Sequence, residues 1–223
     1  MNVLDAIKKR HSVRAYLDKE VPEKVVKEII EIAKQSPSGV NSQPWKVYAL
    51  MGKAKDNLVK DACKKFDAGE TESGEYVVYP SKENMPDWYK ARRAECGFGL
   101  YGTLGIERDD MPRRIAQARK NYQFFGAPVG IFITVNKVLG PNGWGHVGHY
   151  IQSLCLAAVG KGLGTCLQEA WAGYPNLLRK HLNYGDDEVL WCGISLGYED
   201  VNEVVNTFVP DREEFDVFAK ILK

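Results

Sequence analysis

An α+β fold in one domain is what this sequence predicts, and three observations carry the prediction. Apolar residues return at helical spacing in several separate segments. Four short segments rich in β-branched and aromatic residues read as strands. No linker of proline, glycine or serine divides the 223 residues. That length is enough to bury one sizeable core.

Residues 2–9 spell a short helix with Val3, Leu4 and Ile7 on one face. A second helix opens at Pro22, carries Val25, Val26, Ile29, Ile30 and Ala33 as its apolar stripe, and ends near "SPSG", because Ser36 precedes a proline and Gly39 stops propagation. "WKVYALM" (45–51) reads as a buried strand and 53–66 as a helix. Residues 68–86 are polar and punctuated by Gly and Pro, the pattern of a surface excursion. Helical spacing resumes at 87–102. Another helix follows "DDMP", capped by Asp109 or Asp110, and runs to Gly126-Ala127-Pro128. "VGIFITV" (129–135) is apolar throughout, as a strand covered on both faces must be. Residues 146–161 form an apolar helix. "GTCLQEAW" (164–171) and "EVLWCGISLGY" (188–198) are two further strands, separated by a helix opening at Pro175. The tail is extended to Arg212 and closes on a helix over 213–221.

Composition narrows the function. Thirty basic against 29 acidic side chains give a net charge of +1, so no global field draws nucleic acid or an anionic membrane. The longest apolar run, 127–135, is far short of a bilayer span, and the N-terminus lacks the pattern of a secretory leader. Five scattered cysteines without any C-x-x-C point to reduced thiols in a cytoplasm.

Several motifs have plain explanations. "GKGLGT" (160–165) follows a helix and leads into a strand, the reverse of a dinucleotide turn, and reads as a helix C-cap. His146 and His149 stand at i, i+3 without a third ligand, which argues against a metal site. No G-x-S-x-G supplies a serine nucleophile, and each cysteine sits in an apolar pattern. Trp88, Tyr89, Tyr101, Tyr122, Phe124 and Phe125 read as packing for the most part, with some left to wall a pocket for a flat ligand.

Two segments are less plain: "RHSVR" (10–14), with two arginines, a histidine and a serine, and "SPSGVNSQPW" (36–45), a loop of turn formers, amides and hydroxyls. Taken with "GLGTCLQEAW" (162–171), Arg212 and the central "YKARRAECGFGLYGTLGIERDD" (89–110) and "NYQFFGAPVGIF" (121–132), they resemble the FMN-dependent nitroreductase family over essentially the whole chain. The central segments look like the nitrobenzene and nitrobenzoate reductase branch.

The resemblance implies a nitroreductase-like α+β fold over residues 1–223. A central mixed, mainly antiparallel sheet would be flanked by helices in an intertwined homodimer with shared active sites, and residues 200–223 would contact the partner. It implies FMN as cofactor, with Arg10, Ser12, Arg14 and Arg212 toward the phosphate. Two guanidiniums give charge-assisted, potentially bidentate bonds to a dianion. His11 matches a position of ring and backbone contacts. Pro37, Ser38, Gly39 and Asn41 would come from the other subunit, and Leu167, Gln168 and Glu169 would pass the flavin N5 edge, mainly through backbone groups. The group at the pyrimidine edge is left open among Arg92, Arg93, Asn121 and Gln123. The family's lysine two residues before the late arginine is Pro210 here. The implied activity is ping-pong hydride transfer from NADH or NADPH through the flavin to a small planar, electron-poor acceptor such as a nitroaromatic, with no catalytic side chain named and no metal. Three alternatives are reductive dehalogenation on the same fold, destruction of the flavin itself, and a non-catalytic flavin-binding protein. Glu169 stands where the dehalogenating branch carries a hydroxyl, which favours hydride chemistry.

Overall fold

A computed structural model describes residues 1–223. Strand β1 (Trp45–Met51) pairs with β2 (Val129–Asn136), β2 with β4 (Glu188–Gly197), and β4 with β3 (Gly164–Gln168), giving the order β1-β2-β4-β3. Every ladder is antiparallel. One parallel pairing exists, an isolated bridge from Ser12 to Thr165.

The alternation of β2 explains its unbroken apolar sequence. Val129, Ile131, Ile133 and Val135 face one core, against helices α2 (Glu23–Ala33) and α6 (Gly140–Gly160). Phe132 faces a second core with Leu58 of α3 (Gly52–Asp67), Leu178 of α7 (Pro175–Leu182), Phe124 and Trp171. Gly130 makes room for this second core: a Cβ there would collide with the Phe124 ring.

Helix α1 (Val3–Lys9) is capped by the Asn2 side chain accepting from the Asp5 N–H at 2.9 Å. Its apolar face of Val3, Leu4 and Ile7 is exposed, and only Ala6 is buried. Helices α4 (Asp87–Thr103) and α5 (Met111–Arg119) follow the predicted segments, with Asp110 as the α5 cap. α5 ends early, at Arg119: residues 120–126 form a 3-10 turn with Phe124 and Phe125 at φ +51° and +54°. Glu169, Ala170 and Trp171 are not strand but the start of a 3-10 turn. α6 begins at Gly140 rather than 146 and closes on the predicted C-cap, with Gly162 at φ +75° and the Leu163 N–H reaching the Ala158 carbonyl at 2.9 Å. The final helix shrinks to α8 (Phe215–Phe218).

Residues 68–86 hold no helix or strand, yet they are pinned at several points. The Glu72 carboxylate accepts the Asn176 N–H at the start of α7 (2.7 Å), Glu75 pairs with Arg179 (2.5 Å), and Tyr76 packs edge-on against Trp144. No helix is long and apolar enough to cross a membrane.

Candidate functional site

"RHSVR" leaves α1 in extended form and lies along β3. The Val13 N–H donates to the Thr165 carbonyl at 3.0 Å, beside the Ser12–Thr165 bridge. Gly164 permits this approach, since a Cβ there would meet Val13 Cγ2 at 2.5 Å. The segment is locked from the other side by Asn206, which is buried. Its Oδ1 accepts the Arg14 N–H at 2.7 Å, and its Nδ2 donates to the Ala15 and Asp200 carbonyls at 2.8 and 2.9 Å.

Arg14 and Cys166 line one cavity beside β3. Burial pushes that thiol up to about 11, against the pull of Arg14, a hydrogen bond with Ser12 and the more distant Arg10. Neither Arg10 nor Arg14 has a carboxylate partner; Arg14 Nη1 donates only to the Ser12 carbonyl, at 3.2 Å. Two guanidiniums and a hydroxyl beside one strand, with no internal counter-ion, suit an oxyanion.

That cavity, of about 220 Å³, is walled by Arg14, Tyr101, Asn121, Phe125, Cys166 and Leu167 among others. Gln168 is buried and tied to Asn121 of that wall. Its Nε2 donates to the Asn121 carbonyl at 2.6 Å, while its Oε1 is buried and unpartnered. A buried amide oxygen without a donor marks a place where a ligand N–H or O–H is accommodated. Glu169 turns toward the 68–86 segment, where burial and the Glu169 carboxylate push the Tyr79 hydroxyl up to about 12. These features fit FMN: free cations for its phosphate, an orphaned acceptor for a polar edge, and a strand whose backbone runs alongside. Of the four residues weighed for the pyrimidine edge, Asn121 lines this cavity. Arg92 pairs with Glu213 at 2.6 Å, and Arg93 stacks over Tyr79.

Other predicted residues lie apart. The His11 ring bonds Glu199 Oε1 at 2.9 Å and the Lys9 carbonyl at 3.0 Å, lining a different, smaller cavity. Arg212 lies along α4 beside Arg92 and Cys96, and its guanidinium donates to the Pro210 and Asp211 carbonyls. The loop with Pro37, Ser38, Gly39 and Asn41 sits on α6, and none of its residues lines the Arg14 cavity. Ser38 Oγ accepts the Gln43 N–H at 3.0 Å. Val40, Asn41 and Gln43 all have positive φ, and Val40 is fully exposed. A β-branched residue in that region is a strained outlier that only a functional or packing demand maintains.

Nothing in the sequence pattern signals what holds this loop. His146 Nε2 accepts the Gly39 N–H at 3.1 Å, and His149 Nδ1 approaches the Pro37 carbonyl at 3.3 Å. The histidine pair of "GHVGH" is thus a clamp. Asn206 is equally silent in the sequence, because nothing local distinguishes it from any asparagine in a polar tail.

Comparisons with known proteins place the whole chain beside flavin-dependent reductases. The Nitroreductase family profile matches residues 7–198. The 4-nitrobenzoate reductase of Nocardioides sp. (strain LMS-CY) is 35% identical over 97% of this chain and 88% of its own length. The chloronitrobenzene nitroreductase of Comamonas testosteroni is 34% identical over 96% and 94%. The crystal structure of an FMN and NADPH-dependent nitroreductase from sphigopyxis sp. strain HMH superposes with a TM-score of 0.94 at 35% identity, covering all of both chains. On the strength of the family profile and of these relatives, the chain belongs to the nitroreductase family.

Proposed function

We propose that this protein is an FMN-dependent NAD(P)H oxidoreductase that reduces planar, electron-poor acceptors such as nitroaromatics. The observation that carries the reading is the docking of "RHSVR" on β3, which places Arg14, without a carboxylate partner, in the wall of a cavity it shares with Asn121, Phe125, Cys166 and Leu167. The relatives named above support the acceptor class and both cofactors.

When bound, FMN would supply the two-electron redox chemistry. The chain's own task is to hold and enclose it. Arg10, Arg14 and Ser12 grip the phosphate. Leu167, Gln168 and Glu169 border the redox edge, with Gln168 Oε1 free to accept a hydrogen bond. Tyr101, Phe125 and Leu167 give apolar and aromatic walls that stack a flat acceptor and keep water away. No protein nucleophile is required, since the flavin would carry the electrons.

In this reading the functional unit is a homodimer with two shared sites. The strained loop at 37–41 lies away from the Arg14 cavity of its own chain and serves the partner's. Arg212 and the apolar tail lie at the same kind of boundary. The compartment is the cytoplasm, where all five cysteines stay as the free thiols of this structure.

Two measurements test the proposal. The purified protein should be yellow with a flavin visible spectrum. Under anaerobic conditions NADPH or NADH should bleach it, and a nitroarene should restore the colour. FMN-loaded protein that neither nucleotide reduces would sink the reductase reading and leave a flavin-binding protein.

A further inference from the structure

A second concave feature adjoins the proposed flavin site. A cavity of about 800 Å³ lies between the 82–85 segment, α4, the turn that follows it and α5. Five cations line it: Lys82, Lys90, Arg93, Arg108 and Arg114. No acidic residue does. The chain as a whole is almost neutral, so this is a local segregation of charge. Only Lys90 has an ion-pair partner, Asp87 at 3.2 Å; the other four have none. Arg114 and Arg93 are instead steadied by aromatic faces, at 4.0 Å over Tyr101 and 4.8 Å over Tyr79. Met85 and Phe98 add apolar wall.

Two contacts tie this cavity to the redox edge. Tyr101 lines both it and the smaller cavity that holds Arg14 and Leu167. Tyr79, under Arg93, lies near Glu169, whose carboxylate together with burial pushes the Tyr79 hydroxyl up.

We infer that this cavity binds the phosphates of the electron donor, the 2′-phosphate included, and so favours NADPH over NADH. The inference rests on the oxidoreductase reading above. A dinucleotide phosphate carries several negative charges along an extended molecule with one flat base. Five cations, aromatic faces and a volume in the range of sizeable ligands match that pattern. A single aromatic carboxylate would engage one or two of the cations and leave the others unmatched. With the nicotinamide on the flavin side of Tyr101, the phosphates run into the cationic side.

The test is calorimetric titration of the FMN-loaded protein with 2′,5′-ADP, a probe that carries the adenosine 2′-phosphate and needs no turnover. The wild type should bind it, more weakly as salt rises. Arg108→Gln should weaken binding about tenfold, and Arg108→Lys should recover most of the loss. The KM for NADPH should rise by a similar factor in Arg108→Gln, and that for NADH much less. Absence of 2′,5′-ADP binding to wild type whose flavin NADPH still reduces would overturn the donor-phosphate site while leaving the reductase intact. So would an Arg108→Gln variant in which the KM for a nitrobenzoate acceptor moves and that for NADPH does not, because the cavity would then serve the acceptor. Protein that binds 2′,5′-ADP with the expected sensitivity but whose flavin no nucleotide reduces would support the site and refute the reductase reading instead.

Discussion

Arg14 is the residue on which the proposed site depends most directly. Its backbone N–H is held by Asn206, and its guanidinium has no carboxylate partner and donates only to the Ser12 carbonyl, so the fold leaves its charge without a counter-ion. Replacing it with alanine removes one charge-assisted phosphate bond, about 1.5–3 kcal/mol, and should weaken FMN roughly ten- to a hundredfold. The folded state should change little, because the Asn206 contact is to the backbone. Flavin affinity measured by fluorescence quenching, beside thermal unfolding of the apoprotein, separates the two effects. Full flavin content at wild-type affinity would remove Arg14 from the phosphate. At this scale the sequence was legible where a residue's chemistry is unusual in its setting. Two arginines around a serine just after a short helix stand out. Asn206 does not, and His146 stands out only as half of a histidine pair, because their partners lie 192 and 107 positions away. Long-range pairing of this kind leaves no mark on local pattern.

Among the elements, β3 and the segment laid along it form the part that joins fold to site. Their contact is close because Gly164 has no side chain to hold Val13 away. Gly164→Ala should therefore cost about 1–3 kcal/mol through overpacking and should loosen the flavin with it, as Ser12 and Arg14 flank Val13. Gly102→Ala is the control. Gly102 lies exposed in α4, without positive φ and with nothing within 4 Å of its added Cβ, so the change should stabilise by roughly 0.5–1 kcal/mol. Urea unfolding read beside flavin content checks both. If Gly164→Ala unfolds as late as wild type and keeps its flavin, the close approach is not what positions "RHSVR". The strands and long helices were readable because their periodicity reflects which face is buried. Their ends were less so. Strand spacing continues through Glu169–Trp171, but the chain turns there to place Trp171 beneath Gly193, where a Cβ would collide with its ring. The helix read over 213–221 contracts to four residues because its apolar side has no core to pack against.

For the molecule as a whole, the exposed apolar residues say more than the core does. On α1, Val3, Leu4 and Ile7 are 64%, 65% and 50% exposed; in the tail, Phe218, Ile221 and Leu222 are 70%, 73% and 90% exposed. Apolar surface at both termini, beside a fully exposed Val40 at the tip of a strained loop, is what an unpaired half of an assembly presents. The spacing of Val3, Leu4 and Ile7 placed them on one helix face, and the chain itself leaves that face exposed. The expected consequence is a dimer whose flavin affinity depends on association, since the 37–41 loop and the Arg14 cavity then meet only across subunits. Light scattering should give twice the mass of the chain. Removal of residues 213–223 should shift the protein toward monomer at low concentration and release flavin in parallel, because a ligand held by two subunits stabilises their association by mass action. Adding FMN should restore the dimer. A truncated monomer that keeps both its flavin and its turnover would show that each chain builds a complete site alone, and the strain at Val40 and Asn41 would then need another cause.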